Sequence, residues 1–90
     1  MRLKQGFELQ DICGEQILVP QGEENLDFTK LVTLNETAAF VWNTARALGD
    51  FNLKQLTDAM CREYEVEPAQ AGNDIEKLLT TWKEEGLVED

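Results

Sequence analysis

Polar and apolar residues alternate along the first half of the chain in three short runs. The runs are FELQDIC at 7–13, QILVP at 16–20 and FTKLVTL at 28–34. A period of two residues places successive side chains on opposite faces of a sheet, which is the pattern of β-strands. The alternation therefore predicts three strands, and a meander in this order leaves the third strand at an edge of the sheet.

The link between the first two runs predicts a β-hairpin. It has two residues, 14–15, with glycine at the position that a type II′ turn requires. Ile12 falls out of phase with the apolar residues before it, which predicts a β-bulge at 10–11. The continuous apolar run 17–19 indicates a middle strand covered on both faces, and Pro20 ends that strand.

The second half of the chain has the three- and four-residue apolar spacing of amphipathic helices. Asn35 caps a first helix, and Asn52 with Gln55 forms a capping box for a second. Pro68 fits the first turn of a third helix, and Gly86 fits its left-handed stop. The apolar stripes, which we expect to be buried, are Ala38, Val41, Trp42, Ala45 and Leu48, then Leu53, Leu56, Met60 and Tyr64, then Ala71, Ile75, Leu78, Leu79 and Trp82.

The fold class predicted from these elements is α+β. A three-stranded antiparallel sheet, with strands at about 7–34, is followed by a three-helix bundle at about 35–86, a winged-helix-like order. At 90 residues, with 42% hydrophobic and 29% charged residues, the chain has the composition of a single globular domain, 1–90. No apolar run reaches the roughly 18 residues of a membrane span, and the first residues lack the apolar core of a secretory signal. We therefore expect a cytoplasmic protein without a membrane partner.

The residue types exclude most catalytic chemistry. The sequence contains no histidine and no serine, so the usual general base, the commonest zinc ligand and a serine nucleophile are missing. Cys13 and Cys61 belong to no CxxC pair, and we expect two reduced, partly buried thiols. No glycine-rich phosphate-binding motif is present. These absences predict a protein that is not an enzyme and binds no metal or cofactor.

The charge of the chain disfavours nucleic acid as a partner. Eight basic residues stand against 18 acidic ones, a formal net charge of −10. The last part, 63–90, where a winged-helix DNA reader would be basic, contains only Lys77 and Lys83 among many acids. Such a chain repels phosphate backbones and favours basic or neutral partners.

Three segments, in this order and spacing, resemble the PqqD family. They are LNETAAFVW, ALGDFNLKQLTDAMCREYEV and DIEKLLTTWKEEGLVE, with ILVPQG before them. The likeness runs from about Phe7 to Glu89, and its strongest parts are 34–38, entering a tryptophan-bearing helix, and the Asp74, Leu78, Gly86-Leu87 pattern. Members of this family are small proteins of the pyrroloquinoline quinone pathway. Their relatives recognise ribosomally made peptides that are later modified.

The resemblance implies a binding module that holds the leader segment of a precursor peptide. In the family the leader adds as a fourth strand between the third strand and the third helix. It is then presented to a modifying enzyme, commonly a radical S-adenosylmethionine enzyme. The residues implied in peptide binding are Lys30, Leu31, Val32 and Thr33 on the third strand and Asp74, Lys77, Leu78, Thr81 and Trp82 on the third helix. The acidic charge adds the expectation that the leader carries basic residues beside its apolar anchors.

A second function class stays open at the level of sequence. A winged-helix-like regulatory domain would contact another protein or an effector instead of a leader peptide. Binding of an extended peptide to an edge strand separates the two hypotheses. A neighbouring gene for a radical enzyme or a short precursor peptide would separate them as well.

Overall fold

A computed structural model of the chain describes residues 1–21 and 32–89. The elements are β1 (Arg2–Leu3), β2 (Phe7–Ile12), β3 (Glu15–Pro20), β4 (Val32–Leu34), α1 (Glu36–Leu48), α2 (Leu53–Glu63), α3 (Pro68–Glu84) and β5 (Val88–Glu89). They form two compact units, Gln5–Ala39 and Met1–Lys4 with Phe40–Asp90, and the boundary falls within α1. The predicted α+β class, a three-stranded antiparallel sheet with three helices, is confirmed.

The unit Gln5–Ala39 contains the antiparallel sheet, in the order β2-β3-β4. β2 and β3 pair in unbroken register from Phe7 opposite Pro20 to Ile12 opposite Glu15. The bulge expected at 10–11 was therefore wrong. Ile12 breaks the apolar alternation because its side chain is 43% exposed, not because the strand is kinked. β3 is the middle strand, as the sequence predicts.

The hairpin turn lies one residue earlier than predicted. Its two central residues are Cys13 and Gly14, with φ of 54° and 83°. Positive φ at both positions is the signature of a type I′ turn, so the type II′ assignment at 14–15 was wrong. The Gly14 N–H also donates to Asp11 Oδ1 at 3.1 Å. The Cys13 thiol is exposed, whereas the sequence suggested a partly buried one.

We expect Cys13→Asn to raise the free energy of unfolding by about 1 kcal/mol, because asparagine tolerates the left-handed region that costs other L-residues roughly that much. Urea unfolding followed by circular dichroism measures the change. Cys13→Val also removes the thiol, but its β-branched side chain fits φ of 54° poorly and should lower stability. Equal stabilisation by both variants would show that loss of the thiol, not the backbone, is responsible.

The last strand of this unit passes into α1 through a single residue. Leu34 ends β4 with its side chain 5% exposed, and α1 begins at Glu36. Between them, Asn35 Oδ1 accepts from the Ala38 N–H at 2.8 Å and from the Thr37 hydroxyl at 3.0 Å. The predicted cap is confirmed, and it fixes where the strand stops.

The unit Met1–Lys4 with Phe40–Asp90 has an apolar core drawn from all three helices. Its buried residues are Val41, Trp42, Ala45, Phe51, Leu56, Ala59, Met60, Ala71, Ile75, Leu79, Trp82, Leu87 and Val88. Most of the predicted stripes are therefore buried, while Leu53, Tyr64 and Leu78 are half-buried. Leu48 is an exception at 43% exposed, because it is the last residue of α1 and the chain turns away at Gly49.

The helix ends of this unit follow the predicted chemistry. Asn52 and Gln55 form the reciprocal capping box of α2, with bonds of 2.9 and 2.8 Å. At the end of α3 the Leu87 N–H donates to the Trp82 carbonyl at 2.7 Å, and the Gly86 N–H donates to the Lys83 carbonyl at 3.1 Å. With φ of 77° at Gly86, these two bonds make a Schellman motif.

A second, two-stranded sheet was not predicted. β1 and β5 pair antiparallel, with Arg2 opposite Glu89. The Arg2 guanidinium also contacts both carboxylate oxygens of Asp50, at 2.7 and 3.2 Å. This hydrogen-bonded, charged contact holds the pKa of the Asp50 carboxyl below its ordinary value. β1 thus joins the end of the chain to the α1–α2 connection.

Candidate functional site

The outer edge of β4 is open within the part of the chain that the structure describes. β4 pairs with β3 on one side, and no other strand in residues 1–21 and 32–89 pairs with it. An unpaired edge offers backbone N–H and C=O groups to an incoming strand. β4 contains no proline, which would remove such a donor. The described part of this edge can therefore accept an extended peptide.

The hairpin fixes which backbone groups of β3 point toward β2. A two-residue turn closes on a hydrogen-bonded pair, here Ile12 and Glu15, and such pairs then alternate along antiparallel strands. Glu15 and every second residue after it therefore bond to β2. The Gln21 N–H, which donates to the Gly6 carbonyl at 2.6 Å, continues this series. The even-numbered residues of β3 consequently turn their backbone groups toward β4.

The register of β4 then identifies its outward-pointing residue. Gln16 lies opposite Leu34, and Leu18 lies opposite Val32. These are the hydrogen-bonded pairs, so the backbone groups of Val32 and Leu34 point inward to β3. Thr33 lies between them and directs its N–H and C=O to the open edge. Its side chain is exposed as well.

A second candidate surface lies on the exposed face of α3. Six exposed side chains line an open groove of about 500 Å³: Asn73, Glu76, Lys77, Thr80, Thr81 and Glu84. They recur every three or four residues, so they share one face of the helix. The buried side chains of α3, Ala71, Ile75, Leu79 and Trp82, occupy the other face. We call the six residues the α3 groove.

The α3 groove is rich in hydrogen-bond acceptors. The Thr80 hydroxyl donates to the Glu76 carbonyl at 2.9 Å, and the Thr81 hydroxyl donates to the Lys77 carbonyl at 3.1 Å. A hydroxyl has one hydrogen to donate, so both threonine oxygens keep only acceptor capacity for a ligand. The carboxylates of Glu76 and Glu84 are acceptors too. This surface suits a ligand that brings hydrogen-bond donors.

The structure brings together some of the sequence-predicted site residues. Lys77 and Thr81 both line the α3 groove. Thr33 belongs to the other compact unit, where it presents its backbone at the edge of β4. The other predicted residues do not line the groove. Val32 and Leu78 are half-buried, Asp74 is exposed beside the groove, and Trp82 is 1% exposed in the core, while Lys30 and Leu31 lie outside the described residues.

Sequence reasoning missed four residues of the α3 groove: Asn73, Glu76, Thr80 and Glu84. They were missed because the predicted site was centred on the apolar stripe, to which Leu78 and Trp82 belong. Counting three and four residues from Lys77 finds Asn73 and Thr80, and counting three from Thr81 finds Glu84. The signal was therefore present in the helical spacing.

Neither a metal-ligand cluster nor a membrane-spanning helix is found in the part of the chain that the structure describes. Residues 1–21 and 32–89 contain no group of three or more histidine, cysteine or acidic side chains placed to hold a metal ion. No helix among these residues has the length and apolar character needed to cross a membrane.

Residues 15–88 match the family model described as "Coenzyme PQQ synthesis protein D (PqqD)". That range runs from the start of β3 into β5 and includes all three helices. A search of curated protein sequences finds no match.

Two solved structures are similar over nearly the whole chain. "TbiB1 in Complex with the TbiA(beta) Leader Peptide" is 18% identical with a TM-score of 0.77, and the match covers 99% of this chain and 95% of that one. "Lasso peptide synthetase B1 complexed with the leader peptide" is 25% identical with a TM-score of 0.74, covering 99% and 96%. Because the identity to the TbiB1 structure is only 18%, that similarity concerns the fold alone.

Proposed function

This chain belongs to the PqqD family, and we propose that it is a non-catalytic adaptor that captures the leader segment of a precursor peptide. The leader adds as a strand to the outer edge of β4. On α3, which belongs to the other compact unit, the candidate contact residues are Asp74, Lys77, Leu78 and Thr81. The adaptor then presents the leader to a peptide-modifying enzyme, with a radical S-adenosylmethionine enzyme as the first expectation.

The observation that carries this proposal is the open edge of β4. Thr33 offers one N–H and one C=O in the geometry that an antiparallel or parallel strand requires. Backbone pairing supplies affinity without regard to sequence, and side-chain contacts must then supply specificity. The leader-bound proteins with the same fold support this assignment. No comparison favours the regulatory alternative.

The non-catalytic role rests on the residue types available. Without histidine or serine, the chain lacks the side chains that most often act as base and nucleophile near neutral pH. The acidic residues of the α3 groove are exposed and line it together with two threonines, which suits binding. We propose that the chemistry, and any cofactor, belongs to the partner enzyme, and that both proteins work in the cytoplasm.

Amide hydrogen exchange followed by NMR tests strand addition at single residues. The probes are synthetic peptides of about ten residues, chosen by selection from a random library on the immobilised chain. We expect a bound leader to slow exchange of the Thr33 amide by about tenfold or more, since a new backbone hydrogen bond protects it. The Val32 and Leu34 amides, already bonded to β3, should change less.

The opposite edge of the same sheet provides the control. By the alternation described above, the Leu9 amide of β2 also points away from β3. Its exchange should be unchanged when the leader binds. Protection of the Leu9 amide with no change at Thr33 would show that the leader pairs with the edge of β2 instead of β4. No protection at either position would refute strand addition.

A further inference from the structure

Two carboxylates bracket the α3 groove on a single line along the helix. Glu76, Thr80 and Glu84 are four residues apart in turn, so their side chains lie one above the other. Within residues 1–21 and 32–89, neither glutamate forms an ion pair. Both carboxylates are exposed and thus ready to accept from a cation on a ligand.

The neighbouring line of the groove has the opposite charge at its centre. It consists of Asn73, Lys77 and Thr81, again four residues apart. A cationic side chain that entered the groove would be repelled by Lys77 and attracted toward the line of Glu76 and Glu84. The groove therefore fixes on which side a basic group of the ligand lies.

The separation of the two glutamates matches a spacing in an extended peptide. Eight residues of α-helix at a rise of about 1.5 Å span about 12 Å between Glu76 and Glu84. In a strand, residues i and i+4 are on the same face and about 13 Å apart, while i and i+2 are only about 7 Å apart. An odd spacing would place the two side chains on opposite faces.

We propose that the α3 groove selects peptides that carry two basic residues at positions i and i+4. One basic side chain contacts Glu76 and the other contacts Glu84. The residue at i+2 faces the Thr80 oxygen and favours a neutral hydrogen-bond donor. This inference rests on the proposed function, since it describes the leader that the adaptor binds, and it adds a spacing rule to the general preference of an acidic protein for basic partners.

Selection from a random peptide library tests the rule without a known precursor. Peptides of about ten residues, long enough to span the groove in extended form, are displayed as mRNA fusions and selected on the immobilised chain. We expect the enriched peptides to carry lysine or arginine at i and i+4 more often than at i+2, i+3 or i+5. The leading peptide is then synthesised for titration calorimetry.

The double variant E76Q/E84Q should weaken binding of that peptide by about 3- to 30-fold, as two exposed ion pairs are lost. The matched control E63Q/E65Q removes the same charge outside the groove and should change the affinity less than about twofold. Raising the salt concentration from about 50 to 500 mM should weaken peptide binding by the parent protein and should leave peptide binding by the double variant nearly unchanged. K77Q should tighten binding slightly.

The outcomes distinguish failure of the rule from failure of the proposed function. Enriched peptides that protect the Thr33 amide, but show no i, i+4 preference or lose no more affinity in E76Q/E84Q than in E63Q/E65Q, overturn the rule and leave strand addition intact. Failure to enrich any peptide overturns both the proposed function and the rule. Enriched peptides that leave the Thr33 amide unprotected refute strand addition, and the rule is then decided by the i, i+4 preference and by the loss of affinity in E76Q/E84Q relative to E63Q/E65Q.

Discussion

Thr33→Pro is expected to reduce leader affinity by about 30-fold or more while the domain stays folded. Proline removes the one N–H of β4 that points to the open edge, and the leader carbonyl opposite it would be left without its donor. One lost hydrogen bond together with an unsatisfied buried carbonyl costs about 2 kcal/mol, and each 1.4 kcal/mol is about tenfold in affinity. Calorimetric titration of the parent and the variant measures the difference.

The neighbouring position gives the opposite outcome. Val32 bonds inward to Leu18, so Val32→Pro removes a hydrogen bond of the sheet itself and should lower the free energy of unfolding by about 1–3 kcal/mol. Thr33→Ala keeps the backbone N–H and should bind as the parent does. A folded Thr33→Pro protein with parental affinity would refute pairing at this edge. Thermal melts by circular dichroism establish which variants are folded.

Trp82→Ala is expected to lower the free energy of unfolding by about 3–5 kcal/mol, a large part of the 5–15 kcal/mol typical of a whole domain. The side chain is 1% exposed, and its ring meets that of Trp42 edge-on, with centroids 5.3 Å apart and planes at 83°. Such a pair adds about 0.5–1.5 kcal/mol beyond burial. Urea unfolding at 25 °C measures the change.

Trp42→Phe is the matched variant on the other ring of the pair. Trp42 Nε1 is buried and has no hydrogen-bond partner among the described residues, so replacing the indole breaks no such bond within them. An aromatic ring remains against Trp82, and the loss should be about 1–2 kcal/mol. A loss as large as that of Trp82→Ala would show that the indole N–H has a partner. Either way, reduced peptide binding by Trp82→Ala would report the core and not a direct contact.

The helices were predictable because their end signals are local, whereas strand pairing between distant parts of the chain was not predictable. Asn35, Asn52 and Gly86 act within a few residues of their own positions, so their caps and stops could be read from the sequence. The β1–β5 sheet joins two-residue strands from opposite ends of the chain, and no periodicity exists in so short a segment. The hairpin was located correctly, but its turn was shifted by one residue because Cys13 adopts a positive φ that sequence alone does not favour.

The candidate site was predictable to the level of its elements. Strand alternation identified an edge strand, but only the register of β4 against β3 separates Thr33, which points outward, from Val32, which points inward. On α3, the same apolar stripe could form part of a core or could line a binding surface. The burial of Trp82 assigns it to the core.

The pairing of β1 with β5 places residues from the two ends of the described chain side by side. A domain with adjacent ends can be inserted into a surface loop of a larger protein, because both connections leave from the same place and neither must cross the fold. The same geometry permits circular permutation, in which a short linker joins β5 to β1 and the chain is opened elsewhere.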